Sequence, residues 1–334
     1  MVSLQPVPGE SSGANWAIVL KGQTATGKSA MALRLAQRFP LRLISVDSAQ
    51  VFRGMDIGTA KPSARVLRTF PHDLIDIRNP TETYSAGDFR RDALESMTAA
   101  LQAGRIPLLV GGTLLYFQAL LKGLSGLPSA DQALRRGLDA RAHEAGFATP
   151  REWLEAIDPE AAARIDPADR QRLERALEVY LLTGRPLAEH WHGASTEPAP
   201  GWRFLTLIVV EPDRARLARR IADRVDRMLE AGLVAEVQNI LEQFPGAGDA
   251  PPLRAVGYRQ VLQYLNAEMG RAELAQRITT ATRQFAKRQM TWLRGEPTGH
   301  WLSSGQIDKL ESRVETLVRD VMPRNLGDRV IQVR

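Results

Sequence analysis

Gly22-Gln23-Thr24-Ala25-Thr26-Gly27-Lys28-Ser29 fits the pattern G-x-x-x-x-G-K-[ST], and it lies between an apolar run at 16–20 and an amphipathic stretch at 29–38. The pattern holds phosphate only in that setting, with a strand before it and a helix after it. Its glycines let the backbone wrap closely and turn N–H groups inward. The following helix adds the positive end of its dipole. Lys28 brings a point charge, and Ser29 a hydroxyl suited to Mg2+. A chance glycine-rich turn would not carry both flanking elements. The loop therefore takes a di- or triphosphate, without saying which one or what becomes of it.

Outward from the loop, strands and helices alternate. A second strand at 41–46 ends in Asp47 and Ser48. A helix at 86–103 leads through Gly104 into a buried strand at 106–110, which ends in Gly111-Gly112-Thr113. A further apolar strand at 205–210 precedes an arginine-rich helix from Pro212. This alternation predicts an α/β fold: a P-loop NTPase-like parallel sheet flanked by helices. Residues 127–199 have no long β-branched run and read as helices punctuated by Pro and Gly, an insertion into the core with an exit linker at 196–201. The expected organisation is a first part of the core at 15–126, the helical insertion at 127–200, a second part with a strand and basic helices at 201–302, and a C-terminal tail at 303–334.

Composition narrows the class. The 334 residues are 44% hydrophobic and 25% charged, as in ordinary globular proteins. There is no cysteine, which excludes disulfides, thiolate metal sites and cysteine nucleophiles. No apolar run reaches the roughly 20 residues of a membrane helix. The first 14 residues are polar and read as no secretory signal, so the cytoplasm is the expected compartment. The net charge of +6 suits a polyanionic partner only if the basic residues cluster.

They do cluster near the C-terminus. From 277 to 294 the chain carries Arg277, Arg283, Lys287, Arg288 and Arg294 and no acidic residue. Arg283 and Lys287, four apart, share a helix face. A one-signed face of this kind is a phosphate-binding footprint, whereas a merely solvated face mixes signs. The interleaved Phe285 and Trp292 read as core. The five histidines show no metal-ligand spacing beyond His190-Trp191-His192, which reads as surface.

Enzymes that move or hydrolyse phosphoryl groups on such a loop usually have an apolar strand ending in Asp for Mg2+. Here the strand at 106–110 ends in Gly-Gly-Thr, and the carboxylate comes earlier, at Asp47. Strand ends line the ligand crevice of an open parallel sheet, so Asp47 and Thr113 are expected to face the loop. Asp47 is then a Mg2+ ligand, a base, or simply a solvated strand end.

These residues resemble a known family. The loop, Ile44-Ser-Val-Asp-Ser48, Phe52-Arg-Gly-Met-Asp-Ile-Gly-Thr-Ala-Lys-Pro62, Tyr84-Ser-Ala-Gly-Asp-Phe89, Leu109-Val-Gly-Gly-Thr113, Ala255-Val-Gly-Tyr-Arg-Gln260 and the run 282–294 are similar to the tRNA dimethylallyltransferases, also called tRNA isopentenyltransferases. The likeness spans about 17–302. Three departures stand out: Gln23 where Pro is common, Thr26 where Ser is common, and Phe52 where Tyr is usual. Gln23 gives up a rigid turn residue, which predicts a looser loop.

The resemblance implies transfer of a dimethylallyl group from dimethylallyl diphosphate to N6 of adenosine 37 in tRNAs reading codons that begin with U. The loop, Gly22 through Ser29, then holds diphosphate, with Mg2+ on Ser29. Asp47 is implied as the base, Thr113 as a hydrogen-bond donor to the leaving oxygen, and Arg224 as a diphosphate group; by its sequence alone Arg224 is a solvated helix charge. Implied contacts to the tRNA anticodon stem-loop are Asp47, Ser48, Ala49, Gln50, Thr113 and Arg135, then Gln171, Arg172, Leu173, Glu174 and Arg175 in the insertion. Arg254, Gly257, Tyr258 and Arg259 follow, and Arg283, Lys287 and Arg288 on the basic helix. Tyr258 either stacks or packs. The target base must be extruded from its stack to be reached. No membrane is implied, and the chain is expected to act as a monomer. A P-loop nucleoside or small-molecule kinase leaves the insertion and the basic face without a purpose. An RNA-binding NTPase switch would want a strand-end Asp where Gly111-Gly112-Thr113 stands.

Overall fold

The computed structural model describes residues 15–124, 126–128, 131–191, 198–296 and 298–321. β1 (Asn15–Gly22) runs into the phosphate loop, and α1 (Lys28–Arg38) leaves it. Gly27 caps α1 at φ 88°, a conformation that side chains with a Cβ rarely adopt. β2 (Leu41–Val46), α2 (Ala64–Thr69), β3 (His72–Asp73), α3 (Ala86–Gln102), β4 (Ile106–Gly111) and α4 (Leu114–Leu121) follow. Six helices come next: α5 (Gln132–Arg136), α6 (Leu138–Glu144), α7 (Pro150–Ile157), α8 (Pro159–Arg164), α9 (Arg170–Thr183) and α10 (Leu187–Trp191). The chain then forms β5 (Trp202–Val210), α11 (Arg214–Glu230), α12 (Leu233–Gln243), two 3-10 turns, α13 (Tyr258–Leu265), α14 (Arg271–Arg294), β6 (His300–Ser303) and α15 (Ile307–Val321).

The strands form one six-stranded sheet in the order β3-β2-β4-β1-β5-β6, every pairing parallel. This is the α/β architecture that the alternation predicts. β1 lies at its centre, and residues 17–20 are fully buried on both faces, hence the unbroken apolar run. Gly22 pairs with Val209, and Lys21 and Val46 both pair with Gly111. The ends of β1, β2, β4 and β5 therefore stand at one level, and the loops leaving them share one edge of the sheet.

The chain forms two compact units. One, within 1–84, 88–117 and 201–334, holds the sheet. The other, 85–87 and 118–200, is helical, with its own core of Leu138, Ala142, Trp153, Leu154, Leu173 and Leu177. It starts inside α4 rather than at 127. No helix among the described residues is long and apolar enough to cross a membrane.

The expected tail at 303–334 is corrected up to Val321. β6 pairs with β5, and α15 packs Leu310, Val314, Leu317 and Val318 into the cluster that holds Met31, Ala32 and Leu35 of α1. Arg34 and Arg38 of α1 reach the buried Glu311 carboxylate. A four-residue strand with a polar start gave too little alternation to read in the sequence. β3, two residues long, gave even less. The first 14 residues, Thr196 and Glu197 of the expected linker, His192, and 322–334 lie outside the described residues.

Because Leu310 is fully buried, Leu310→Ala is expected to cost about 2–5 kcal/mol through lost burial and the cavity left behind. Urea unfolding checks this: the midpoint should fall with the slope unchanged.

Candidate active site

The phosphate loop is held from outside. Gln289, on the inward side of α14, accepts from the Thr24 N–H at 2.8 Å and donates to the Gly112 carbonyl at 2.9 Å. One buried amide thus ties the loop to the end of β4. Gln23, expected to loosen the loop, is buried and pinned. Its Nε2 donates to Ala286 O at 3.2 Å, and its Oε1 accepts from Glu211 N at 3.4 Å. The side chain thereby replaces the ring stiffness of a proline. Within the loop, the Thr26 hydroxyl donates to Gln23 O at 2.8 Å, and Ala25 sits at φ 61°, a left-handed conformation that the surrounding bonds impose.

Lys28 is almost fully buried and donates to Gln23 O. Burial, and then the nearby Arg224, push its ammonium down to about 7, while Asp47 pulls the other way. Arg224, from α11, lies against the loop, with Nη1 3.5 Å from Thr24 Oγ1 and Nη2 3.4 Å from Thr59 O. Its own affinity for a proton is lowered by burial and partly restored by Asp47. It is therefore not the solvated helix charge that the sequence alone suggests. Two cations and one carboxylate converge on the loop.

Asp47 is half-buried at the end of β2. Its Oδ1 accepts from Ala49 N (2.9 Å) and Gln50 N (3.2 Å), which fixes the side chain to its own turn. Among the described residues its second oxygen takes no hydrogen bond. Thr113, at the end of β4, accepts from Ser48 N at 3.0 Å and meets Ser48 Oγ at 3.3 Å. Thr113 and Asp47 are thus cross-linked through Ser48. Ser29 is exposed at the start of α1. No three Asp, Glu or His side chains group into a metal site among the described residues. The Ser29 hydroxyl and the Asp47 carboxylate are the donors the site offers, a set that suits a Mg2+ ion carried mainly by phosphate oxygens.

On α14, Arg283, Lys287, Arg288 and Arg294 are exposed and form no ion pair among the described residues. Arg277 does: Glu273, one turn before the acid-free run, pairs with it at 2.6 Å. The basic face therefore begins at Arg283. Trp292, read as core, is 44% exposed beside it. Arg254 and Arg259 are also exposed.

Several of the other expected contacts are engaged within the protein. Tyr258 is fully buried and donates to Glu236 at 2.6 Å, so its ring packs and offers no face for stacking. Gly257 is a buried turn at φ 97°. In the helical unit Leu173 is core, and Arg135 and Arg175 both clamp Glu178, which is completely buried. Arg170 holds Glu174 at 2.7 Å, while Gln171 and Arg172 are exposed. Sequence reasoning missed Gln289 and Glu178. A buried polar residue within a basic helix, or an acid three residues beyond an arginine, signals nothing until its partner is located.

Residues 50–296 match the IPP transferase family. The tRNA dimethylallyltransferase of Thiobacillus denitrificans is 50% identical over 302 residues, covering 90% of this chain and 96% of that protein. The tRNA dimethylallyltransferase 2 of Hahella chejuensis is 47% identical over 313 residues, covering 90% and 94%. Among solved structures, the full-length tRNA isopentenylpyrophosphate transferase of Bacillus halodurans matches with a TM-score of 0.66 at 32% identity, over 92% of this chain and 98% of that one.

A lysine lowered to about 7 is half neutral at that pH, and an anion set against it restores the charge. Binding of inorganic diphosphate is therefore expected to take up protons between about pH 7 and 9 and to weaken as the pH rises. Titration calorimetry in buffers of different ionisation enthalpy measures the uptake. It should shrink in Lys28→Met.

Proposed function

The chain belongs to the IPP transferase family, and from that premise we infer that it transfers a dimethylallyl group from dimethylallyl diphosphate to N6 of adenosine 37, in tRNAs reading codons that begin with U. The observation that carries the reading is the convergence of Lys28, Arg224 and Asp47 on a phosphate loop whose neighbouring strand ends in Gly111-Gly112-Thr113 rather than Asp. Cations and loop N–H groups suit a diphosphate, and a carboxylate with one uncommitted oxygen suits a proton acceptor.

The exocyclic amine of adenine is a weak nucleophile because its lone pair is delocalised into the ring. In the proposed step the N6 nitrogen attacks the allylic C1, the C1–O bond breaks, and diphosphate leaves with the electron pair. Asp47 takes the N6 proton on the oxygen that its own turn leaves unused. Thr113 donates to the bridging oxygen. Lys28, Arg224 and the loop N–H groups stabilise the charge that develops on the leaving group. The Ser29 hydroxyl would hold a Mg2+ ion, which would supply further neutralisation of that charge. Arg283, Lys287 and Arg288 meet phosphates of the anticodon stem-loop, which set register rather than sequence. Arg254 and Arg259 are assigned to the same partner. In the helical unit the exposed Gln171 and Arg172 are the residues proposed to meet RNA, with Arg135 and Arg175 shaping their surroundings through Glu178.

Mass spectrometry of an unmodified anticodon stem-loop RNA, incubated with protein, Mg2+ and dimethylallyl diphosphate, tests the reading. One dimethylallyl unit on the adenosine 3′ to the anticodon is expected, and none when ATP replaces the diphosphate. A phosphorylated acceptor in the ATP sample would instead establish a kinase. Asp47→Ala should slow the chemical step by about 10²–10⁴-fold while leaving diphosphate and RNA binding nearly intact. A large loss of RNA binding would make Asp47 a recognition group. Lys287→Ala should weaken RNA binding uniformly across sequences and lower the salt slope by about 1.

A further inference from the structure

Glu236 rises from the first turn of α12 into the loop that follows β2. Its carboxylate accepts three consecutive backbone N–H groups: Asp56 at 3.1 Å and Ile57 at 2.5 Å on Oε2, and Gly58 at 3.2 Å on Oε1. The Tyr258 hydroxyl donates to the same Oε1 at 2.6 Å. The Tyr258 ring packs so tightly on Gly58 that a Cβ there would come within 2.5 Å of it. Lys61 ties down the far side of the loop, with its ammonium 2.9 Å from Phe52 O and 2.6 Å from Asp56 Oδ1. Between these anchors stands Thr59. Its carbonyl accepts from Gln50 Nε2 at 3.3 Å and from Arg224 Nη2 at 3.4 Å. The next residue, Ala60, sits at φ 53°, so the loop is held in a conformation it would not choose unaided.

We propose that Glu236 is a positioning residue for the transfer reaction: by clamping residues 56–58 it aims the Thr59 carbonyl, which holds the Arg224 guanidinium against the phosphate loop. The inference rests on the reading of Arg224 as a diphosphate group. A carboxylate is suited to the task because all of its lone pairs accept. A glutamine of the same shape would turn an NH2 toward N–H or O–H donors and leave at least one of them unpaired. An arginine whose anchor drifts loses the preorganisation that makes its charge useful in the transition state.

A double-mutant cycle tests this. E236Q is expected to lower kcat for transfer to anticodon stem-loop RNA by about tenfold, with KM for that RNA changed by less than about twofold. In an R224A background the same substitution should cost less than about twofold, because the residue it acts through is gone. Y258F keeps the ring against Gly58 while removing one donor to the carboxylate, and it carries the same cycle should E236Q fail to fold. Equal losses in both backgrounds overturn the proposal and leave Glu236 a role in loop stability alone. An R224A chain that transfers as well as the unaltered one overturns the reading of Arg224 itself, a separate result that takes with it the route through which Glu236 acts.

Discussion

A phosphate loop is made of backbone, and backbone N–H groups converge on one point only while something outside the loop holds them there. In this chain the holder is Gln289. Its single amide joins the Thr24 N–H to the Gly112 carbonyl, so the loop after β1 and the turn after β4 keep a common register. Gln23 adds bonds to α14 and to the end of β5. Buried amides bonded on both sides are worth more than their exposed counterparts, since breaking one leaves unpaired groups in a dry interior. Everything placed at that edge of the sheet, including Thr113 and the Asp47 turn it braces, depends on this tie.

The second constraint is charge. Lys28 and Arg224 are like charges drawn into a poorly solvated place, a destabilising arrangement in the free protein and the reason the lysine is pushed so far down. The arrangement makes sense for a site that spends its time with a polyanion, because the ligand removes a cost the fold otherwise carries. Asp47 offsets part of that cost while holding one oxygen in reserve. The same cations that disfavour one another in the free protein would make the leaving diphosphate stable.

Helix α14 serves two purposes on two sides. Leu274, Ile278, Ala286, Gln289 and Leu293 face inward, and Arg283, Lys287 and Arg288 face out. In the helical unit the arithmetic runs the other way. Arg135 and Arg175 look as basic in the sequence as the α14 residues do, yet both are engaged by one buried glutamate. Which acids reach a basic residue decides how much of its charge is left for a partner, and beyond a turn of helix that reach is a property of the fold.

Local features of the sequence determined the parallel sheet, the phosphate loop and the placement of Asp47 and Thr113 at strand ends. Apolar runs, glycine spacing and strand termini are each set within a few residues, so they can be read along the chain. β3 and β6 stayed hidden because strands of two and four residues carry almost no periodicity. α15 does carry a helical period, with Leu310, Val314, Leu317 and Val318 on one face, and only its packing against α1 needed the assembled sheet. The burial of Tyr258, the pinning of Gln23 and the approach of Arg224 to Thr24 were decided by tertiary structure, whereas the pairing of Arg277 with Glu273, four residues apart on one helix, is local. A hydrogen bond between positions 24 and 224, or 24 and 289, needs the whole sheet assembled before either partner can find the other.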